Sequence, residues 1–265
     1  MGGDLARRIL FAIPAIAFAA AIIYAGGWIF AAGIGLLGVI AVHELSQMLE
    51  RARPVRLAAM LGVLGMVVAG TAGDEHAVLM ALAASVPVTF ALAVTMPQRE
   101  RITASISVTI LAIVWLGLGV SHAALLRGLD HGGALVLTVL LGTFLGDTAA
   151  YIGGRALGRR KLAPRISPNK TVEGLAIGAG FCTLVVWYWS RTYGGDWISG
   201  VDALLLGLAV AIAAPVGDLF ESLIKRDMGT KDTGSLFGPH GGVLDRVDAA
   251  LFALVAGYYV WHAVA

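Results

Sequence analysis

The chain has 265 residues, of which 58% are hydrophobic and 14% charged, and its mean hydropathy is +0.84. A soluble domain of this length carries roughly a quarter charged residues, so a water-soluble globule is excluded. The single cysteine, Cys182, excludes an internal disulfide and a cysteine-based metal site, and the net charge of +2 says little by itself; no nucleic-acid partner is expected.

Apolar runs recur along the chain, each long enough to cross a hydrocarbon core of roughly 30 Å as a helix. Nine are predicted, at about 9–25, 28–49, 56–72, 77–96, 102–121, 133–153, 172–190, 201–224 and 247–263. Helices are the expected spanning element, because lipid offers no partner to an open strand edge. The second run holds His43 and Glu44 near its end, and the sixth holds Asp147. The first 25 residues could pass for a signal peptide, with Arg7 and Arg8 before an apolar run. That run is long and is followed by further spans, so a retained first helix is expected.

Charge orients the bundle. With the amino terminus inside, the inner connections are 1–8, 50–55, 97–101, 154–171 and 225–246, joined by Arg56 at the start of the third span. They hold 17 of the 19 Lys and Arg residues, leaving only Arg127 and Arg191 outside. The positive-inside rule then gives an N-in, C-out topology, with the polar chemistry facing the cytoplasm and anionic lipid headgroups close to the inner loops. The fold class expected is all-α, a single polytopic membrane domain over residues 1–265.

Three polar clusters interrupt the apolar sequence. The weakest is His43-Glu44, read mainly as reaching the membrane interface. The second is 147–174, DTAAYIGGRALGRRKLAPRISPNKTVEG. Here Asp147 is an intramembrane carboxylate with Tyr151 one turn later. Ser167 or Asn169 is a candidate cap for the next helix, with Glu173 in its first turn. Backbone N–H groups there, with Lys170, suit a phosphate, although the Walker A pattern is absent. His122, His131 and His262 fall on the outer side and receive no role.

The third and richest cluster is 222–248, SLIKRDMGTKDTGSLFGPHGGVLDRVD. In a helix over 201–224, Asp218, Ser222 and Lys225 share one face, and Glu221 with Lys225 has the spacing of a helix-surface pair. A glycine-rich loop follows, and then Asp245 and Asp248 stand three apart at the start of the last span. Cations, carboxylates and flexible backbone this close together suit a phosphorylated substrate with a divalent metal. Read singly, Lys225 and Arg226 are equally well topological anchors, Asp245 a helix cap and His240-Gly241-Gly242 a turn. Asp218 and Asp248 near the membrane resist that bland reading. A cation-coupled transporter using Asp147 and Asp218 is the competing class, but its site would lie near the midplane between repeats, and no repeat is evident.

The run from Ser222 through Ile224-Lys225-Arg226, Lys231-Asp232, Gly234, Phe237-Gly238, His240-Gly241-Gly242-Val243 and Asp245-Arg246-Val247-Asp248 resembles the signature of the phosphatidate cytidylyltransferases, or CDP-diacylglycerol synthases. The stretch 147–174 resembles that family's acidic helix and SPxKTxEG segment, with Val172 where an aromatic is common and Thr148-Ala149 replacing a usual small pair. The likeness is specific over about 142–250; residues 1–141 match in hydropathy alone, so 142–265 is the expected catalytic portion.

The resemblance implies transfer of a cytidylyl group from CTP to phosphatidic acid, giving CDP-diacylglycerol and pyrophosphate, at the cytoplasmic side of a bacterial inner membrane. It implies Mg2+ and a second, monovalent cation as cofactors, and a homodimer. Asp218 and Asp245 would be the principal metal ligands, with Asp248 and Asp147 as additional carboxylates. Lys225, Arg226, Lys231 and Arg246 would hold phosphates, with Ser222, Asp232, His240, Gly241 and Gly242 shaping the pocket. Ser167 and Lys170 would hold CTP or the lipid headgroup. CDP-archaeol synthases and polyprenol or phytol kinases share part of this chemistry, and the 222–248 run argues against them.

Overall fold

A computed structural model describes residues 2–96, 101–193, 195, 197–234 and 241–264, with side chains from residue 13 onward. The helices run α1 Gly2–Ala25, α2 Gly27–Met48, α3 Arg56–Ala72, α4 Glu75–Val94, α5 Ile102–Ala112, α6 Leu118–Gly128, α7 Gly132–Leu157, α8 Val172–Tyr193, α9 Gly200–Asp227 and α10 Leu244–Val264. A π-helical turn, Ile113–Gly117, joins α5 to α6 as one apolar helix, so each of the nine predicted runs falls on helix.

Among the described residues, seven helices are long and apolar enough to cross a membrane. Ile13–Ala25 is the part of the 24-residue α1 with described side chains and is likewise apolar, and α3, Arg56–Ala72, is 17 residues long. At 1.5 Å per residue, 17 residues reach about 25 Å, short of a full hydrocarbon core. Among the described residues, spans of full bilayer length therefore number seven.

Contacts divide the chain into two compact units, Met1–Gly133 with Asp232–Asp245, and Ala134–Lys231 with Arg246–Ala265. In the first, α3 packs against α2, α4 and α6. Absent side chains permit the approach: a Cβ on Gly38 would stand 2.9 Å from Val63, and one on Gly70 only 2.7 Å from the Ser121 carbonyl oxygen. The connection before α3 is tied to α5, where Thr109 Oγ1 accepts from Val55 N at 2.8 Å and Ser105 Oγ donates to the Arg53 carbonyl.

Arg127, one of the two exceptions to the charge asymmetry, has a structural task. Its Nε donates to the Ile23 carbonyl at 2.8 Å, satisfying the open end of α1 and placing a cation at the negative pole of the helix. The chain turns there at Gly26 with φ +65, and a Cβ would lie 2.3 Å from the guanidinium. Arg127→Ala is expected to destabilise the protein by about 1 kcal/mol without altering catalysis, measured as a lowered midpoint in a detergent melt.

The second unit is built on a ladder of small residues. Gly142, Gly146, Ala150 and Gly154 recur every fourth position on α7, opposite Gly174, Gly178 and Cys182 on α8. A Cβ on Gly178 would stand 2.5 Å from that of Ala150, and one on Gly174 2.8 Å from the Gly154 Cα. The small residues therefore serve close packing inside one chain. Cys182 is buried in this seam, as expected of a small apolar side chain. The same device joins α9 to α10, where a Cβ on Gly217 would meet the Asp248 carbonyl oxygen at 2.5 Å.

Between α7 and α8 the chain forms a two-stranded antiparallel hairpin, β1 Lys161–Ala163 and β2 Ser167–Thr171, pairing Lys161 with Thr171 and Ala163 with Ser167. The sequence reading had only a loop here. The cap of α8 also differs from expectation: Ser167 and Asn169 lie in β2, and Thr171 Oγ1 accepts from Gly174 N at 3.1 Å. Thr171 is therefore the residue at the helix start.

Candidate active site

In the second unit, α9 presents Asp218, Glu221, Ser222 and Lys225 over its last three turns, after Pro215. Asp218 is the centre of the first group. Its Oδ2 lies 2.6 Å from Lys170 Nζ of β2, and its Oδ1 accepts from Ser222 Oγ at 3.3 Å. About a third of the Asp218 side chain stays exposed. Asp147 on α7 lies close enough to Asp218, Lys170 and Asp248 for their charges to act on it. Three carboxylates expected from the sequence are thus gathered in this unit, with Lys170 among them.

Tyr151 is not the partner of Asp147. Its hydroxyl accepts from Arg155 at 3.3 Å and most of its side chain is exposed. Asp147 instead borders a narrow crevice lined by Gly146, Ala150, Gly178, Ala214 and Pro215 among others.

Glu221 is the residue whose importance the sequence understated. It is fully buried, and it forms an ion pair with Lys225 one turn later. Asp248 on α10, itself buried, lies close enough to Glu221 for the two carboxylates to act on each other. The i, i+4 spacing read as a helix-surface pair is therefore an internal network that fixes the Lys225 ammonium. Arg226 reaches the hairpin, where its Nε donates to the Ile166 carbonyl at 3.1 Å. The hairpin is held at its other end by Glu173, which accepts from Arg159 N, Arg160 N and Arg160 Nε at 3.0–3.1 Å. Lys170 is thus carried on a braced element.

In the first unit, Asp245 organises the chain around the glycine-rich loop. Its Oδ2 accepts from Thr233 N at 2.9 Å, Thr233 Oγ1 at 2.8 Å and Gly242 N at 2.7 Å. Gly241 has φ +80, and a Cβ there would lie 2.4 Å from the same oxygen, so only glycine suits the turn. Glu44 is the second anchor. It is 4% exposed, and its two carboxylate oxygens accept from Val243 N at 3.0 Å and Leu244 N at 2.9 Å. Of the pair read as reaching the interface, only His43 is exposed.

Among the remaining expected site residues, Lys231, Asp232 and Arg246 are exposed and Ser167 is half-buried at the start of β2. His240 lies outside the described residues. Among the described residues no three His, Cys, Asp or Glu side chains stand close enough to enclose a metal ion by themselves. The donor set nonetheless fits Mg2+, which is commonly held by one or two carboxylates with water and substrate phosphates completing the shell. Asp147, Asp218 and Asp248 supply hard oxygen donors of that kind.

The chain is similar to known proteins over nearly its whole length. The Cytidylyltransferase family profile matches residues 6–264. A phosphatidate cytidylyltransferase of Synechocystis sp. (strain ATCC 27184 / PCC 6803 / Kazusa) is 33% identical, the match covering 96% of this chain and 95% of that protein. One of Staphylococcus aureus (strain COL) is 31% identical over 93% of this chain and 95% of its own length. The uncharacterized protein YnbB of Escherichia coli (strain K12) is 39% identical, over 57% of this chain and about half (53%) of its own. With a profile that spans the described chain and relatives above 30% identity over nearly its whole length, the protein is an enzyme of the cytidylyltransferase family.

Proposed function

We propose that this enzyme transfers a cytidylyl group from CTP to phosphatidic acid, forming CDP-diacylglycerol and pyrophosphate for phospholipid synthesis. The observation that carries the reading is the Lys170–Asp218–Ser222 group beside the buried Glu221–Lys225 pair, all within the 147–248 segment whose motifs resemble those of phosphatidate cytidylyltransferases. In the proposed step a phosphate oxygen of the lipid attacks the α-phosphorus of CTP. A new P–O–P bond forms, the bond from the α-phosphorus to its bridging oxygen breaks, and pyrophosphate leaves with the electron pair.

The nucleophile is already an anion, so no strong general base is needed. What the protein supplies is positioning and charge. Lys225 is held by Glu221, Lys170 by Asp218 and β2, and Arg226 by the hairpin carbonyl, each presenting a cation for phosphate. Lys231, Arg246 and the glycine-rich segment with Asp232, His240, Gly241 and Gly242 complete the proposed phosphate and nucleotide contacts. Mg2+ would be held by Asp218 and Asp245, with Asp248 and Asp147 as further carboxylates, and would neutralise charge on the phosphates. A second, monovalent cation and a homodimer belong to the same proposal, as do an N-in topology and a cytoplasm-facing site in the bacterial inner membrane.

Label position tests the reaction class. With purified protein, CTP labelled at the α-phosphate is expected to label the chloroform-soluble lipid, and CTP labelled at the γ-phosphate is expected to leave it unlabelled. The reverse pattern would make the enzyme a lipid kinase.

One substitution tests the packing that carries Asp218. Gly217→Ala adds a methyl against backbone, which has no side-chain rotamer to yield, and so must separate α9 from α10 beside Glu221 and Asp248. A misplacement near 1 Å is expected to cost about 10²-fold in turnover, measured against Gly180→Ala, where a Cβ meets nothing within 4 Å.

A further inference from the structure

Residues 232–245 belong to the same compact unit as α1–α6, the half of the chain to which the sequence assigns no chemistry. The tie is Glu44. A carboxylate that is 4% exposed on an apolar helix has lost its hydration and needs donors in return. It finds them in two backbone amides, Val243 N and Leu244 N, at the positive end of α10, so the anion also meets a favourable dipole.

The glycines around it are explained by the same contact. A Cβ on Gly242 would lie 2.3 Å from Glu44 Oε2, and one on Gly234 would lie 2.8 Å from Oε1. Gly234 and Gly242 therefore both close on one side chain. Asp245 adds a second closure, through Thr233 and Gly242. Two carboxylates, one of them nearly 200 residues away in sequence, thus hold Thr233, Gly242, Val243 and Leu244.

We propose that Glu44 is a positioning residue for nucleotide binding, setting Gly234, Gly242 and the first turn of α10 in the geometry that CTP requires; this rests on the cytidylyl-transfer reading above. Glutamine keeps the size of the side chain but offers one acceptor where the two amides need two, and it turns a donor toward a donor. Glu44→Gln is expected to raise KM for CTP about tenfold, with KM for phosphatidic acid changed much less. Hydrogen exchange at Val243 and Leu244 is expected to accelerate by a similar factor while that of α3 is unchanged.

A double-mutant cycle isolates the contact. Gly242→Ala alone is expected to cost at least tenfold in kcat/KM, because the methyl collides with the Glu44 carboxylate. In a Glu44→Ala background the obstruction is gone, so the same change is expected to cost less than threefold. Additive losses in the cycle, or Glu44→Gln with both KM values within twofold of wild type per folded molecule, overturn the proposal. A Glu44→Ala protein that fails to fold leaves the glutamine variant and the exchange rates to decide. Should the wild type turn over no CTP, that failure belongs to the reaction assigned above. The clamp is then judged by exchange alone, where unchanged protection of Val243 and Leu244 in Glu44→Gln refutes it and selective loss supports it.

Discussion

Asp218→Asn is expected to lower turnover by about 10³-fold while leaving the protein folded and inserted. Asparagine is isosteric, and its carbonyl oxygen can still accept from Ser222 as Asp218 Oδ1 does. What disappears is the negative charge that pairs with Lys170 at 2.6 Å and that would help hold a divalent cation. The ion pair is partly solvated on both sides, so its loss costs little stability. A large kinetic effect with an unchanged melting midpoint therefore separates chemistry from folding. Turnover within tenfold of wild type would remove Asp218 from the reacting centre, and a comparably large fall in midpoint would make it a packing residue instead.

Asp245 allows a sharper separation, because the structure gives it a second task. Its Oδ2 takes three hydrogen bonds from Thr233 and Gly242, all of which an asparagine oxygen can accept in the same place. Asp245→Asn is therefore expected to keep the loop anchored and still lose about 10²- to 10³-fold in turnover through the missing charge. Asp245→Ala removes the acceptor as well. It should match that kinetic loss and also lower the melting midpoint, since it strands two backbone amides and a threonine hydroxyl. If asparagine restores near-wild-type turnover where alanine does not, Asp245 is only the anchor of the loop, and its proposed role toward a metal ion falls.

Hydropathy located all nine apolar helices because a membrane span is a local property of consecutive residues. Length was legible too: the run 56–72 coincides with α3, Arg56–Ala72, at 17 residues. The motif residues on α9 were also readable, because Asp218 and Ser222 are one helical turn apart and a helix must bring them together. The hairpin was not, since Lys161–Ala163 and Ser167–Thr171 contain Pro168 and Asn169 and have neither alternation nor β-branched residues before Thr171. Its contribution, placing Lys170 against Asp218, is tertiary.

Glu44 and Glu221 were misjudged for related reasons. Glu44 bonds to backbone amides, which every residue possesses, so no side-chain pattern marks its partners. Glu221 with Lys225 has the spacing of innumerable exposed helix pairs, and only the packing of α9 and α10 shows it to be buried. The glycines gave a partial signal. Small residues let helices approach closely, but whether each glycine meets a helix, as Gly178 does, or a carboxylate, as Gly242 does, depends on the fold.

The most direct test of the account is pyrophosphate release by the purified, detergent-solubilised protein supplied with CTP and phosphatidic acid, with and without Mg2+. Release that requires all three, with an equal amount of CDP-diacylglycerol on a lipid chromatogram, is the predicted result. Well-folded protein that releases no pyrophosphate under any of these conditions, or that releases it without phosphatidic acid and forms no CDP-lipid, would contradict the proposed reaction.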